Sequence, residues 1–202
     1  MKKILVTGKA DKRVISYPLM HICNYSGKTC LITDDVNYKR LYGGYEKTGD
    51  IDNVHIEIIP PVSPDEDLSE LFQEKEEYGY DILILVLDSY LADGMDRIYI
   101  IGNRIRTFMG IEIEEVMEDH QNTTAFAVSL VKHPVSAGVI PFTWNIDDFV
   151  YLCTVEETRK LQPPKNKKIV ELLQSTICTS VDIPVSTYNG LSGRTKSKKK
   201  KK

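Results

Sequence analysis

The sequence predicts an α/β protein, with a three-layer arrangement of a mostly parallel central sheet and helices on both faces. Three observations predict it. Strand-like and helix-like segments alternate along the chain, the pattern of parallel strands joined by crossover helices. Two strand segments are continuously apolar, as strands covered on both faces are: Ile4-Leu5-Val6, and residues 82–87 within the strand at 81–88. The chain has 202 residues, 42% hydrophobic and 27% charged, enough for one ordinary domain whose core needs neither disulfides nor metal. We assign that domain to residues 1–190 and a disordered polybasic tail to residues 191–202.

The first strand, residues 3–7, runs into the loop Gly8-Lys9-Ala10-Asp11-Lys12-Arg13. Ile15, Leu19, Ile22 and Cys23 then recur at the spacing of one helical stripe. Pro18 is tolerated only near a helix start, so the helix is expected to begin at Ser16 as N-cap and to close on Gly27 in the left-handed conformation. A second strand, residues 29–33, ends on Asp34-Asp35. Residues 36–53, rich in tyrosine and glycine, read as a long loop with about one helical turn.

A strand at 54–59 is ended by Pro60-Pro61, and residues 65–78 form an acidic amphipathic helix. The strand at 81–88 should lie mid-sheet, followed by another at 97–102. Then come a helix over 105–120, strands at 124–131 and 138–142, a helix over 146–161, the break Pro163-Pro164 and a last helix over 167–179. Ligands in such sheets bind at the carboxyl ends of the strands. Here that edge carries residues 8–13, Asp34, Asp35, Asp88, Ser89, Gly102 and Asn103.

The formal net charge is −3, which argues against a protein that coats nucleic acid generally. Lys196 and Lys198 to Lys202 nevertheless concentrate positive charge at the end of the chain. No apolar run approaches membrane-spanning length and no signal-peptide core follows Met1, so a cytoplasmic location is expected, with attachment to a membrane surface as a variant of it. Cys23, Cys30, Cys153 and Cys178 are scattered, and the four histidines fall in separate elements. Neither a metal site nor a catalytic histidine is expected, and the cysteines read as small buried apolar residues. Trp144 reads as a core or interface anchor.

The order strand, Gly8-Lys9 loop, helix, Gly27-Lys28, strand, Asp34-Asp35 resembles the MinD/ParA group of deviant P-loop ATPases. The likeness extends over residues 1–180. It includes Val139-Ile140-Pro141-Phe142, followed by a helix and Pro163, similar to the family's closing pattern. The resemblance implies a P-loop NTPase-like fold, with ATP and Mg²⁺ as cofactors, dimerisation across the nucleotide face, and Lys9 in the place of the signature lysine. It makes Gly8, Lys9, Lys12, Arg13 and Ser16 the candidate nucleotide-binding residues, and Asp34 and Asp88 the candidate catalytic ones.

The sequence also departs from the family pattern. A phosphate loop needs a Gly-Lys-Ser/Thr end, but the corresponding positions hold Val14 and Ile15. Lys12 or Arg13 can supply charge only in a shortened loop, and Ser16 is the nearest hydroxyl. The acidic position that would hold Mg²⁺ through water is Val86; Asp88 is either its shifted equivalent or the cap of the following turn. Asp34 and Asp35 fit equally a polar strand end bonded to a neighbouring loop amide.

Weak or absent nucleotide binding is therefore expected. The chain reads as a pseudo-ATPase that positions or scaffolds a protein partner in a secretion, conjugation, pilus or partitioning apparatus. One alternative is a nonstandard Mg²⁺-dependent nucleotide hydrolase using Lys9, Lys12 and Asp88. Another is a module that binds anionic lipid or nucleic acid through Lys198, Lys199, Lys200, Lys201 and Lys202.

Overall fold

A computed structural model describes residues 1–91, 93–102, 107–108, 111–119, 122–130, 135 and 137–163. The elements in order are β1 (Lys2–Thr7), α1 (Arg13–Cys23), β2 (Thr29–Thr33), a 3-10 helix (Val36–Leu41), β3 (Thr48–Ile51), β4 (Val54–Ile58), α2 (Ser69–Glu77), β5 (Ile82–Leu87), β6 (Arg97–Gly102), β7 (Thr107–Phe108), β8 (Ile111–Glu112), α3 (Ile113–Asp119), β9 (Thr123–Ser129), β10 (Ile140–Thr143) and α4 (Ile146–Thr158). Among the described residues the main sheet has eight strands, in the order β10-β9-β6-β1-β5-β2-β4-β3. Its strands are parallel except at the β3–β4 edge pair. The three-layer α/β architecture is the one the alternation of elements predicts.

Period-two alternation sends successive residues of each strand to opposite faces. Ile4, Val6, Ile84 and Val86 therefore join the core beneath α1 and α4, with Val14, Ile15, Leu19, Leu152 and Val155. Leu5, Leu83, Leu85 and Leu87 join the opposite core with Leu68, Ile113 and Val116, on the side of α2 and α3. Both faces of β5 are thus buried, which is why its sequence is apolar throughout. Among the described residues β10 is an edge strand, paired with β9, and accommodates Pro141, which has no amide to offer a further neighbour.

Several expectations are corrected. Helix α1 begins at Arg13, with Lys12 in the cap position, and Ser16 and Pro18 lie inside it. Val14 and Ile15 are each 1% exposed; burying their side chains on the sheet favours the earlier start despite the amide that Pro18 lacks. The helix ends at Cys23, and Gly27 does not adopt the left-handed conformation. Gly27 is instead placed by a close approach, since a Cβ there would lie 2.7 Å from the Asp81 carboxylate.

The helical turn expected within 36–53 is the 3-10 helix, capped by Asp35, whose carboxylate accepts the Asn37 N–H. The loop reading missed β3, because only Ile51 of its four residues is buried and an edge strand of this kind carries little hydrophobic alternation. The helix expected over 105–120 is, in its described part, the pair β7–β8 followed by α3. Helix α4 ends three residues early, at Thr158, where Arg159 turns left-handed with φ 51°. Cys23 and Cys30 are buried as expected, but Cys153 is exposed. Asn103, Cys178, the helix over 167–179 and the lysine tail lie outside the described residues. Among the described residues no helix is long and apolar enough to cross a membrane.

Candidate functional site

Strand register places the candidate residues on one edge. Thr7 pairs level with Leu87 and with Ile100, and Thr33 with Val86, so the segments after β1, β2 and β5 leave the sheet side by side. Thr7 Oγ1 donates to the Ser89 carbonyl at 3.0 Å and Thr33 Oγ1 to the Val86 carbonyl at 2.7 Å, tying these ends together. Gly8 turns the chain at φ +119°, and Ala10 N–H donates to the Ile101 carbonyl at 3.1 Å, so the loop after β1 lies flat on β6.

Five residues, 8–12, separate the end of β1 from the start of α1. Within this short loop the lysines divide. Lys9 is exposed and makes no hydrogen bond or ion pair among the described residues, though it lies near enough to act on the charge of Asp88. Lys12 folds back: its ammonium donates to Asp88 Oδ1 at 2.6 Å and to the Gly8 carbonyl at 3.1 Å. The Lys12 side chain is 10% exposed against 63% for Asp88, so the lysine is the buried member of the pair.

Lys12 holds the Asp88 carboxyl below its ordinary pKa, chiefly through that hydrogen bond and against the opposing effect of burial. Asp34 is pushed the other way, by burial first and also by the nearby Asp88 charge, while the Asp88 N–H that it accepts at 3.2 Å offsets part of this. Asp34 therefore does what a polar strand end does, bonding a neighbouring loop amide. Lys12, Asp34 and Asp88 share a cavity of about 360 Å³ with Pro61 and Val62.

The remaining candidates separate from this group. Ser16 is fully buried, and its hydroxyl bonds that of Tyr38, which is also fully buried. Arg13, at the first position of α1, pairs with Asp11 and reaches Glu156 of α4 at 2.7 Å. Glu156 also accepts the Tyr17 hydroxyl at 2.9 Å. Hydrogen bonding to Asp11 is the main reason the Arg13 guanidinium is held firmly charged, against the opposing effect of burial. Sequence reasoning missed Asp11, Glu156 and Tyr38. Asp11-x-Arg13 at a helix start was a readable signal, whereas nothing local could have pointed to Glu156.

No protein-family model matches the chain, and no curated protein matches its sequence. Among solved structures, the fold is similar to that of MinD. The MinD cell division protein of Aquifex aeolicus superposes with a TM-score of 0.51 at 12% identity, over 96% of this chain and 97% of that one. MinD in the MinC:MinD cell division protein complex of Aquifex aeolicus gives 0.53 at 12% identity, over 96% of each chain. At that identity the likeness establishes the architecture.

A magnesium nucleotide at this strand edge is what the sequence's family resemblance implies, and several of the groups that would hold it are engaged within the chain. A nucleotide phosphate needs backbone amides and a free cation at the start of α1, and Mg²⁺ needs a hydroxyl or carboxylate beside it. Here Asp11 already accepts the Arg13 N–H at 3.0 Å, Lys12 is turned onto Asp88, and the Ser16 hydroxyl is consumed by Tyr38. Val14 and Ile15, which stand where a lysine and a hydroxyl are needed, are core residues. Among the described residues no three His, Cys, Asp or Glu side chains converge as a metal site.

Proposed function

We propose that this chain is a MinD/ParA-like positioning or scaffolding protein, a pseudo-ATPase that acts through contacts with a protein partner in a secretion, conjugation, pilus or partitioning apparatus. The observation that carries this reading is the Lys12–Asp88 pair. Phosphoryl transfer depends on positioned cations and a metal-holding carboxylate, and here the buried cation and the exposed carboxylate neutralise each other. The MinD neighbour solved together with MinC supports a partner-binding use of the architecture. The outer face of α4 supports a protein partner: Ile146, Phe149 and Val150 are 73%, 43% and 49% exposed, Trp144 stacks on Phe149 at 4.6 Å, and the exposed charges within the helix, Asp147 and Glu157, are acidic, with Arg159 and Lys160 exposed just past its end.

The test is equilibrium binding of ATP and ADP with Mg²⁺ to the full chain and to Lys9→Ala. Neither protein is expected to bind at micromolar concentration. Micromolar binding that is lost in Lys9→Ala overturns the pseudo-ATPase reading. One observation favours a second reading, a nonstandard hydrolase: Lys12, Asp34 and Asp88 line one cavity, with the exposed Lys9 nearby. That reading requires Mg²⁺-dependent phosphate release that Asp88→Asn abolishes, and unchanged turnover in the variant ends it.

A further inference from the structure

Strands β5 and β6 are parallel and lie on either side of β1. Such a crossover ordinarily takes a dozen or more residues and carries a helix that packs on the sheet. Here residues 88–96 make it, with no helix among those described. The strap is fixed at both ends. Near its start the Ser89 carbonyl accepts from Thr7 Oγ1 at 3.0 Å; at its close the Asp96 N–H donates to the Lys3 carbonyl at 2.9 Å and the Asp96 carboxylate accepts the Lys3 N–H at 2.7 Å. Between the strap and the start of α2 lies a groove of about 770 Å³.

Leu68, Phe72, Leu91 and Met95 give the groove an apolar lining, and Asp65, Glu66, Asp67 and Asp93 give it an acidic one. Glu66 and Asp67 accept the Ser63 and Ser69 N–H. Asp65 and Asp93 are exposed and make no hydrogen bond or ion pair among the described residues. Lys3 is the one basic residue described in the lining, and its ammonium lies over the Phe72 ring, 4.9 Å from the centroid. The groove thus already seats one lysine on an aromatic wall. Further lysines suit it for the same reason, because their methylene stems pack on apolar surface while the ammonium heads reach carboxylates. The cavities at the carboxyl edge of the sheet differ, since Lys12 lines both and Lys9, Arg13 and Arg40 line one.

Such an occupant is present in the same chain. Residues 1–163 hold 27 acidic side chains against 16 lysines and arginines, whereas residues 164–202 hold 2 against 10. Six of those ten are Lys196 and Lys198 to Lys202. The 32 residues between Pro163 and Lys196 can extend to about 100 Å, and a domain of this size is roughly 40 Å across, so the tether is long enough to reach the groove.

We propose that the groove between α2 and the 88–96 strap is the docking site of this chain's own lysine tail, Lys196 and Lys198 to Lys202. A tail seated there is withheld from anionic lipid and nucleic acid. The proposal does not rest on the pseudo-ATPase reading, since none of the candidate nucleotide-binding residues lines the groove.

The experiment uses the full chain and fluorescently labelled hexalysine, titrated by anisotropy at low salt. With a tethered tail at an effective concentration on the order of 1 mM, a groove that binds lysine runs with a Kd of about 100 μM is masked about tenfold. The tail variant Lys196→Gln/Lys198→Gln/Lys199→Gln/Lys200→Gln/Lys201→Gln/Lys202→Gln should therefore bind hexalysine about tenfold more tightly than wild type. Adding Asp65→Asn/Asp93→Asn should cancel the gain, whereas adding Glu70→Gln/Glu77→Gln, on α2 outside the groove, should leave it.

Equal binding by wild type and the tail variant overturns the proposal. So does a gain that survives Asp65→Asn/Asp93→Asn, or one that the α2 pair cancels equally, since either makes the attraction a matter of overall charge. A second measurement needs no variant: carbodiimide cross-linking of a mixture of unlabelled and ¹⁵N-labelled wild type, followed by peptide mapping. Same-chain links from the tail lysines to Asp65, Glu66 or Asp93 are expected. Links only between chains, or none at the groove, overturn the proposal, and this result decides if the substituted proteins do not fold.

Discussion

Gly8→Ala should be among the most damaging single-methyl additions in the described protein. Gly8 sits at φ +119°, and a Cβ there would lie 2.0 Å from the Ile101 carbonyl oxygen and 2.8 Å from the Ile101 carbonyl carbon and nitrogen. These are backbone atoms of β6, which is bonded to β1 on one side and β9 on the other, so they cannot swing aside as a side-chain tip would. Relief must come from the loop, at the expense of the Ala10 N–H bond to the same oxygen.

The backbone conformation costs on the order of 1–3 kcal/mol for a residue with a Cβ, relieving the overlap a similar 1–3 kcal/mol, and the weakened hydrogen bond about 1 kcal/mol. A loss of roughly 3–7 kcal/mol is therefore expected, a large share of the ~5–15 kcal/mol that stabilises a typical domain. For a chain of this size, at about 2–4 °C per kcal/mol, it corresponds to a fall in Tm of about 6–28 °C.

The internal control is Gly79→Ala. Gly79 is at φ +73° with no atom within 4 Å of the added Cβ, so that variant pays only the conformational cost, about 1–2 kcal/mol. Urea denaturation of the full chain measures both. The result that refutes the reasoning is a Gly8→Ala destabilisation within 1 kcal/mol of the control, which would mean that the loop does not rest on β6.

Two further outcomes are expected. Tyr38→Phe leaves the buried Ser16 hydroxyl without its partner and should cost about 1–3 kcal/mol, while adding Ser16→Ala should recover part of that loss; a double-mutant cycle on urea midpoints that shows additive effects refutes the coupling. His21 is buried in α1, and burial pushes its pKa below the ordinary 6.5 against weaker opposing effects of the Leu161 backbone and Asp52. The unfolded chain then binds the His21 proton more readily, so the contribution of this residue to stability is full above about pH 6.5 and declines as pH falls through the interval between the unfolded and folded pKa. His21→Leu should flatten that part of the stability–pH curve, and an unchanged slope in the variant would remove His21 as its source.

How far the sequence was legible follows from which interactions are local. The sheet and its two helical layers were readable because a strand's burial is written in its own residues: β5 is apolar at every position since both of its faces are covered, and β4 alternates since one of its faces is only half-buried. Asn145 and Asp148, which form a reciprocal cap at the start of α4, were a local signal that the sequence reading did not use. β3 was illegible because an edge strand with one buried residue has no pattern to show, and α1 was misjudged because the local cost of Pro18 was outweighed by the burial of Val14 and Ile15 against a sheet that the local pattern does not describe.

For the candidate site, the sequence by itself determined which charged residues reach the carboxyl edge of the sheet and that Val14 and Ile15 replace a phosphate-loop end. Only the tertiary structure decided where those charges go. Lys12 meets Asp88 across 76 positions of sequence, Arg13 meets Glu156 across 143, and Ser16 meets Tyr38 across 22. The physical reason is that a side chain's charge is fixed by its covalent chemistry, whereas its partner depends on which strands pair and which helix crosses them. That pairing turns a loop with two lysines and an arginine into one with Lys9 as the basic residue left unpaired among those described.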